Sequence, residues 1–268
     1  MTRRLAGLAL TLFLVAPLLL AGCSEKDNTA PESTSRVLSV PGSYATLAAA
    51  VAAANAGDKI VVTYRTTAYN ADVTLPAGVQ LWGHNENPKL PEFLGQLRVV
   101  GSGAEVSLRD FALSNPDGAG IVLTDSDCTL QGLWIKDCDG PGIALLGDSH
   151  ATVSECDIQR CLPGVLIRDT SVGGHYADAD HPSVRIGSCD FLENSDGSAL
   201  SNIVFANIAA LYTISVKFNY WGAAGMDVPA IDATITDNKD ASSLLGLADT
   251  DADDFTWAPA PWDHWWQD

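Results

Sequence analysis

The apolar positions between residues 106 and 191 repeat along the chain. Leu108, Phe111 and Leu113 have counterparts 22 residues later, and these return after a further 23 and then a further 33 residues. The counterparts are Leu130, Leu133 and Ile135, then Val153, Cys156 and Ile158, then Ile186, Cys189 and Phe191. Repeats of this length can bury their apolar side chains only by stacking on one another. The pattern therefore predicts a solenoid.

Each repeat is predicted to consist of short β-strands. Its apolar residues are two or three positions apart, and turn-forming residues interrupt them at residues 115–118, 139–142 and 162–164. Short runs bounded by turns are typical of strands. A leucine-rich repeat is the main alternative at this length, but its asparagine-centred leucine pattern and helical return are missing. Each repeat then forms one coil of a β-helix, and the ten extra residues before Ile186 predict an inserted loop near residues 173–182.

The segment before the repeats predicts a cap for the first coil. Residues 44–56 are rich in alanine and predict a helix, with Ser43 as its N-cap, and strand-like segments follow at residues 58–62 and 79–83. This order closely resembles the N-terminal segment of pectin-lyase-like right-handed parallel β-helix proteins. The resemblance implies an all-β fold, a single-stranded right-handed parallel β-helix with an N-terminal capping helix. Such a helix would cover a strand edge that otherwise invites aggregation.

Aromatic residues are concentrated towards the C-terminus. Residues 219–222 (Asn-Tyr-Trp-Gly) are similar to a step near the end of bacterial secreted β-helix proteins, and the resemblance implies that aromatic side chains close the last coil. We expect Trp257 and Trp262 to belong to this C-terminal cap. Two interpretations stay open for Trp265 and Trp266. They belong to the cap, or they are exposed and bind carbohydrate by stacking on sugar rings.

The N-terminus carries the features of an export signal. Arg3 and Arg4 precede an apolar run at residues 5–20, as in a secretory leader. The run ends in Leu-Ala-Gly-Cys, which resembles the bacterial lipobox. In that family the cysteine is acylated and becomes the mature N-terminus, so the resemblance implies that Cys23 is a lipid anchor in the membrane. Ser24, which follows it, implies the outer membrane or the cell surface.

These features divide the chain into three parts. The resemblance to lipoproteins implies a signal peptide at residues 1–22. Residues 23–36 are polar without apolar periodicity and predict a flexible tether. The β-helix domain with its aromatic cap is expected at residues 37–268.

The charge of the chain narrows the range of partners. Lys and Arg total 15 against 33 Asp and Glu, which gives a formal net charge of −18. A chain this acidic repels phosphate backbones, so we expect no nucleic-acid partner. The charge suits a soluble surface outside the cytoplasm.

Two pairs of cysteines are expected to lie next to each other in adjacent coils. Alignment of the repeats places Cys138 over Cys161 and Cys156 over Cys189. Equivalent positions in neighbouring coils are ~4.8 Å apart, which a disulfide tolerates. We expect a Cys138–Cys161 disulfide. For the second pair, a disulfide and a stack of small buried thiols both stay open, and Cys128 is left unpaired.

Candidates for catalysis are few. Of the motifs that polygalacturonase-like enzymes carry along their coils, only the Asp-Asp pair at residues 253–254 has a match, and it lies outside the coils. Asp157 and Asp190 are expected to stack, with Arg160 and Arg185 nearby, and they are the candidates for a lyase-type site. Alternation along the strand favours the other interpretation, in which they form an ordinary solvated face.

Two acidic segments are candidates for metal binding. The insertion contains His175, Asp178, Asp180 and His181, which could hold a divalent metal or simply form a polar loop. Asp249, Asp251 and Asp253 alternate as in a calcium loop, but the glycine and glutamate that an EF-hand requires are missing. The sequence therefore implies no certain cofactor, and Ca²⁺ is the candidate.

The sequence favours a binding protein over an enzyme. A complete, capped solenoid without a recognisable catalytic set predicts a lipid-anchored bacterial surface protein whose flat face binds a polysaccharide or another envelope component. The alternatives are a polysaccharide lyase or glycoside hydrolase that acts on acidic glycans, and a purely structural surface spacer.

Overall fold

The chain winds into a solenoid of parallel β-strands in this computed structural model. The structure describes residues 35–84, 89–101, 104–168, 184–207, 212–216, 218–225, 227–237 and 246–249. Consecutive strands of one coil join three different sheets, so each strand pairs in parallel with its counterpart in the next coil. This arrangement is a parallel β-helix, as the repeat predicted.

The strands are numbered in chain order and grouped here by sheet. Sheet A contains β1 (Val37–Val40), β2 (Lys59–Thr63), β5 (Gln80–His84), β8 (Val106–Arg109), β11 (Asp127–Gln131), β14 (His150–Ser154), β17 (Val184–Gly187), β20 (Tyr212–Ser215) and β22 (Gly246–Asp249). Sheet B contains β3 (Tyr69–Asn70), β6 (Glu92–Leu94), β9 (Ala112–Asn115), β12 (Trp134–Cys138), β15 (Asp157–Cys161) and β18 (Asp190–Leu192). Sheet C contains β4 (Val73–Leu75), β7 (Leu97–Val100), β10 (Ile121–Thr124), β13 (Ile143–Leu146), β16 (Val165–Arg168), β19 (Ile203–Ala206) and β21 (Ile235–Thr236).

The repeated apolar residues form the core, in the register that the sequence predicted. On sheet A, Leu108, Leu130, Val153 and Ile186 occupy equivalent positions of four successive strands. Each of them is at most 1% exposed. Burial of one such side chain stabilises the fold by about 1.5–3 kcal/mol, so a stack that continues through every coil is the main source of stability.

A helix covers the beginning of the solenoid. Helix α1 (Leu47–Ala53) begins three residues later than predicted, because the Thr46 hydroxyl, and not Ser43, caps it by accepting from Ala49 N at 3.1 Å. Leu47 and Val51 are buried and pack on the first strands. The capping helix is thus confirmed and its N-cap corrected. A second short helix, α2 (Val228–Asp232), follows a 3-10 turn at Gly222–Ala224.

Buried asparagines satisfy the backbone where the coil bends. The Asn194 side chain accepts from Cys161 N at 3.0 Å and donates to the Ile158 carbonyl at 2.8 Å. Asn219 does the same one rung later, with Cys189 N and the Ile186 carbonyl, both at 2.9 Å. Buried backbone groups without partners would be costly, so these side chains stabilise the corners.

Trp221 of the predicted aromatic step lies in the core. It is 1% exposed, and its ring stacks on Phe191 of the preceding rung with centroids 4.9 Å apart and an interplanar angle of 12°. This agrees with the structural role that the resemblance implied for residues 219–222. Within the described residues, none of the helices is long and apolar enough to span a bilayer.

Candidate ligand-binding groove

The two aspartates that were predicted to stack do so, but away from solvent. Asp157 on β15 pairs with Asp190 on β18 in the adjacent rung. Both are 0% exposed, so the expectation of a solvated face is wrong. The rungs on either side carry Trp134 and Tyr220 at the same position, and Gln159 Nε2 donates to Asp157 Oδ2 at 3.3 Å. The alternation of side chains along the strand gave the correct side for the two aspartates. It does not show which neighbouring residues shield that side from water.

Of the two arginines predicted to accompany these aspartates, Arg160 lies near Asp157, whereas Arg185 belongs to another sheet. Arg160 donates from Nε and Nη2 to the Asp137 carboxylate at 2.6 and 3.1 Å. This hydrogen bond lowers the pKa of Asp137 below its ordinary value. Arg185 is exposed on β17 of sheet A, whereas the aspartates belong to sheet B. The four candidates therefore do not form one site, because the bend between sheets separates Arg185 from the others.

Several predicted site residues lie outside the described residues, and their assignments stay predictions. They are Cys23, His175, Asp178, Asp180, His181, Asp251, Asp253, Trp257, Trp262, Trp265 and Trp266. Asp249 ends β22, of which the structure describes the backbone. In the described part of the chain, no three His, Cys, Asp or Glu residues are placed to hold a metal ion.

The cysteines occupy the predicted register as free thiols. Cys138 pairs with Cys161 across β12 and β15, and Cys189 lies one rung from Cys156. These four and Cys128 are all buried, and none forms a disulfide in this structure. The expected Cys138–Cys161 bond is thus corrected to a contact between thiols, and the thiol interpretation describes Cys156 and Cys189 as well. Small apolar thiols fill the core here without a covalent bond.

The tryptophans on the outer faces of the sheets are already in contact with cations. Lys59 Nζ lies 3.3 Å from the ring centroid of Trp82 on sheet A. Lys136 Nζ lies 3.5 Å from that of Trp134 on sheet B. Each lysine occupies one face of its ring, which a sugar would need for stacking. These two faces are therefore poor platforms for sugar rings.

A groove runs along the corner between sheets B and C. Three cavities of about 450, 410 and 370 Å³ follow each other along the solenoid axis. Pro116 lines both the first and the second cavity, and Arg160 and Glu193 line both the second and the third. Neighbouring cavities thus share walls and form one continuous depression, which we call the corner groove.

The corner groove crosses most of the coils. It begins at Asn70, the last residue of β3 in sheet B, and ends at Gly222, one rung beyond β18. Seven rungs contribute, and six spacings of about 4.8 Å place its ends about 29 Å apart. A depression of this length fits an extended chain better than a compact small molecule.

Polar side chains line the first cavity. Amide groups come from Asn70, Gln96 and Asn115, and charged groups from Asp72 and Arg98, among other residues. The Asp72 carboxylate accepts from Gln96 N at 3.0 Å, which fixes its position on the rim. Amides, carboxylates and guanidinium groups together can donate to and accept from hydroxyl groups.

The third cavity has an unsatisfied donor in its wall. Trp221 lines this cavity and is 1% exposed. Its indole Nε1–H is buried and has no acceptor among the described residues. A buried donor without an acceptor costs about 1–3 kcal/mol. Gln159, which bonds to Asp157, lines the same cavity.

Sequence reasoning did not find the corner groove. Some of its residues come from the turns that separate the strands, at residues 115–118 and at Asp139, and a turn in the sequence indicates only a break between strands. A signal was present, because Asp and Asn recur at these breaks from coil to coil. What the sequence could not show is that the corner is concave on its outer side.

The architecture and the groove define the class of this protein as a parallel β-helix with a cleft along its axis. The profile of the family described as right handed beta helix region matches residues 97–239, more than half of the chain. The chain therefore belongs to the right-handed β-helix family. No curated protein matches it.

Proposed function

We propose that the protein is a lipid-anchored bacterial envelope protein that binds a polysaccharide in the corner groove without transforming it. The continuous groove of about 29 Å, estimated from the rung spacing, is the observation that carries the proposal. Shared lining residues connect its three cavities without interruption. A linear polymer is the ligand class that uses such a groove along its whole length.

The chemistry of the lining supports a sugar polymer. Amides and charged groups at one end can exchange hydrogen bonds with hydroxyls, and Gln159 contributes a further amide at the other end. A peptide would instead be expected to extend a sheet edge. The groove runs across the strands, where each strand already pairs with the next rung.

Binding is tested by a glycan array probed with and without calcium. Ala68 lines the first cavity, so Ala68→Trp should fill it and weaken the binding of any glycan that the wild-type protein retains. Ala233→Trp adds the same ring on an exposed position after α2 that does not line the groove, and should leave binding unchanged. Absence of binding to every glycan would favour the structural spacer and sink the proposal.

A lyase or hydrolase is the second candidate, and one contact favours it. Gln159 joins the third cavity to the stacked Asp157 and Asp190. Incubation of the protein with polyuronates and other glycans tests this candidate. Depolymerisation by the wild-type protein that is lost in Asp157→Asn or Asp190→Asn would overturn the non-catalytic proposal.

The lipid anchor at Cys23 is part of the same proposal and is supported by the Leu-Ala-Gly-Cys step. Cys23→Ser should leave the protein uncleaved or soluble, whereas the wild-type protein should partition with the membrane fraction. Acylation that persists in the variant would show that the lipobox assignment is wrong.

A further inference from the structure

The charges that line the corner groove are mostly negative. Arg98 and Arg160 provide two guanidinium groups among the described lining residues. Five carboxylates oppose them, so the net charge of the lining is 2 − 5 = −3. These carboxylates belong to Asp72, Asp117, Asp137, Asp139 and Glu193.

The carboxylates differ in how far they are already engaged. Asp137 forms an ion pair with Arg160 and is thereby neutralised. Asp117 and Asp139 are exposed, and no hydrogen bond to their carboxylate oxygens is found within the described part of the chain. They belong to consecutive rungs, after β9 and β12, and Glu193 follows two rungs later. Available negative charge therefore recurs along the groove every ~5–10 Å.

The negative charges of the corner groove determine which class of polysaccharide the groove would favour. A polyuronate would bring its own carboxylates next to these and be repelled. A neutral glycan would form hydroxyl hydrogen bonds with them but would gain no attraction between opposite charges. A glycan with protonated amino groups would form charge-assisted hydrogen bonds, which are roughly twice as strong as neutral ones.

We infer that the corner groove selects polysaccharides that carry free amino groups, such as partly deacetylated amino-sugar polymers. This inference rests on the proposed function. The exposed carboxylates hold the ammonium groups, and the uncharged donors and amides of the lining hold the hydroxyl groups. Since the carboxylates are at the surface, selectivity weakens as salt screens them.

Isothermal titration calorimetry with ligands of equal length tests the inference. The probes are a glucosamine oligosaccharide, its N-acetylated counterpart, an oligogalacturonate and oligolysine. At low salt, the wild-type protein should bind the glucosamine oligosaccharide at least about tenfold more tightly than the N-acetylated one. Asp117→Asn combined with Asp139→Asn should remove most of this difference.

A charge-matched control separates the groove from general attraction. Glu105→Gln with Asp127→Asn removes two negative charges at the N-terminal ends of β8 and β11 in sheet A and should retain the tenfold preference. An equal loss in this control would overturn the inference, since the overall charge of −18 would then explain binding.

The remaining outcomes distinguish the two proposals. Tighter binding of the N-acetylated sugar or the oligogalacturonate, weakened by Ala68→Trp, would overturn the amino-sugar inference and leave the polysaccharide groove intact. Oligolysine is not a sugar. The amino-sugar inference would also be overturned if oligolysine bound as tightly as the glucosamine oligosaccharide and with the same dependence on Asp117 and Asp139. Absence of binding to all three sugars would contradict the inference, and the glycan array then decides whether the proposed function fails with it.

Discussion

Single buried asparagines hold the backbone at the corners of the coil. Asn219→Ala removes two hydrogen bonds and leaves Cys189 N–H and the Ile186 carbonyl buried without these partners. We expect a loss of about 2–4 kcal/mol in the free energy of unfolding, measured by urea denaturation. Asn70→Ala, at an exposed position, should cost less than about 1 kcal/mol. Equal costs at the two positions would contradict the role assigned to the corner asparagines.

The thiols provide a second test at the scale of residues. Burial raises the pKa of the Cys128 thiol, and all five described cysteines are buried. We expect none of them to react with an alkylating reagent in the folded protein and all five to react after denaturation without reductant. Peptide mapping of the labelled sites measures this. Cys138 and Cys161 that stay unlabelled after denaturation would show that these two are bonded, the disulfide that the repeat alignment predicts.

Predictions for single residues were correct where the stacking of equivalent residues in adjacent coils alone determines whether a side chain is buried. The register of Leu108, Leu130 and Val153 follows from the repeat, because equivalent residues of adjacent coils must lie over one another. The burial of Asp157 does not follow from it. That burial depends on neighbours such as Trp134 and Gln159, and alternation along a strand carries no information about what lies above the sheet.

At the scale of elements, a charged contact joins the start of the domain to its capping helix. The Asp58 carboxylate accepts from Arg36 Nε at 3.1 Å, from Arg36 N at 2.9 Å and from Asn55 N at 2.8 Å. Arg36 Nη2 also donates to the Ala53 carbonyl at the end of α1. The Arg36 hydrogen bond is the main cause that holds the pKa of Asp58 well below its ordinary range, and the two backbone N–H groups lower it further.

This contact predicts a pH dependence of stability. The unfolded state has an ordinary Asp pKa of ~3.9 and takes up a proton first as the pH falls. The contribution of Asp58 is therefore complete above about pH 4 and is lost as the pH falls towards the lower pKa of the folded state. The melting temperature of Asp58→Asn should be below that of the wild-type protein at pH 7, and the two should converge below about pH 4. A difference that stays constant down to pH 3 would contradict this account.

The positions of the strands could be predicted from the sequence wherever the strands belong to the repeat. The strands of sheets B and C appear where the 22-residue spacing placed them, and α1 was found from its alanine-rich face. Its first residue was missed because Ser43 and Thr46 are both suitable caps, and the choice depends on where the chain leaves β1. The corner groove was missed because turn residues identify a bend and not the curvature of the surface around it.

For the molecule as a whole, the proposed binding of a polysaccharide requires that the corner groove act as one site. The rung spacing gives this site a length of about 29 Å. The repeat makes such a groove possible, since every coil places a turn at the same corner. An extended site of this kind differs from an isolated pocket in a measurable way. Each additional sugar unit adds contacts until the chain fills the groove.

The most direct test is the affinity of the protein for amino-sugar oligosaccharides of increasing length, measured by isothermal titration calorimetry. For the wild-type protein, we expect the affinity to rise with each added sugar unit and to level off once the oligosaccharide spans the groove. In Ala68→Trp, where the first cavity is filled, the affinity should level off at a shorter length. An affinity that is the same for short and long oligosaccharides, or an Ala68→Trp variant that reproduces the wild-type length dependence, would contradict this expectation.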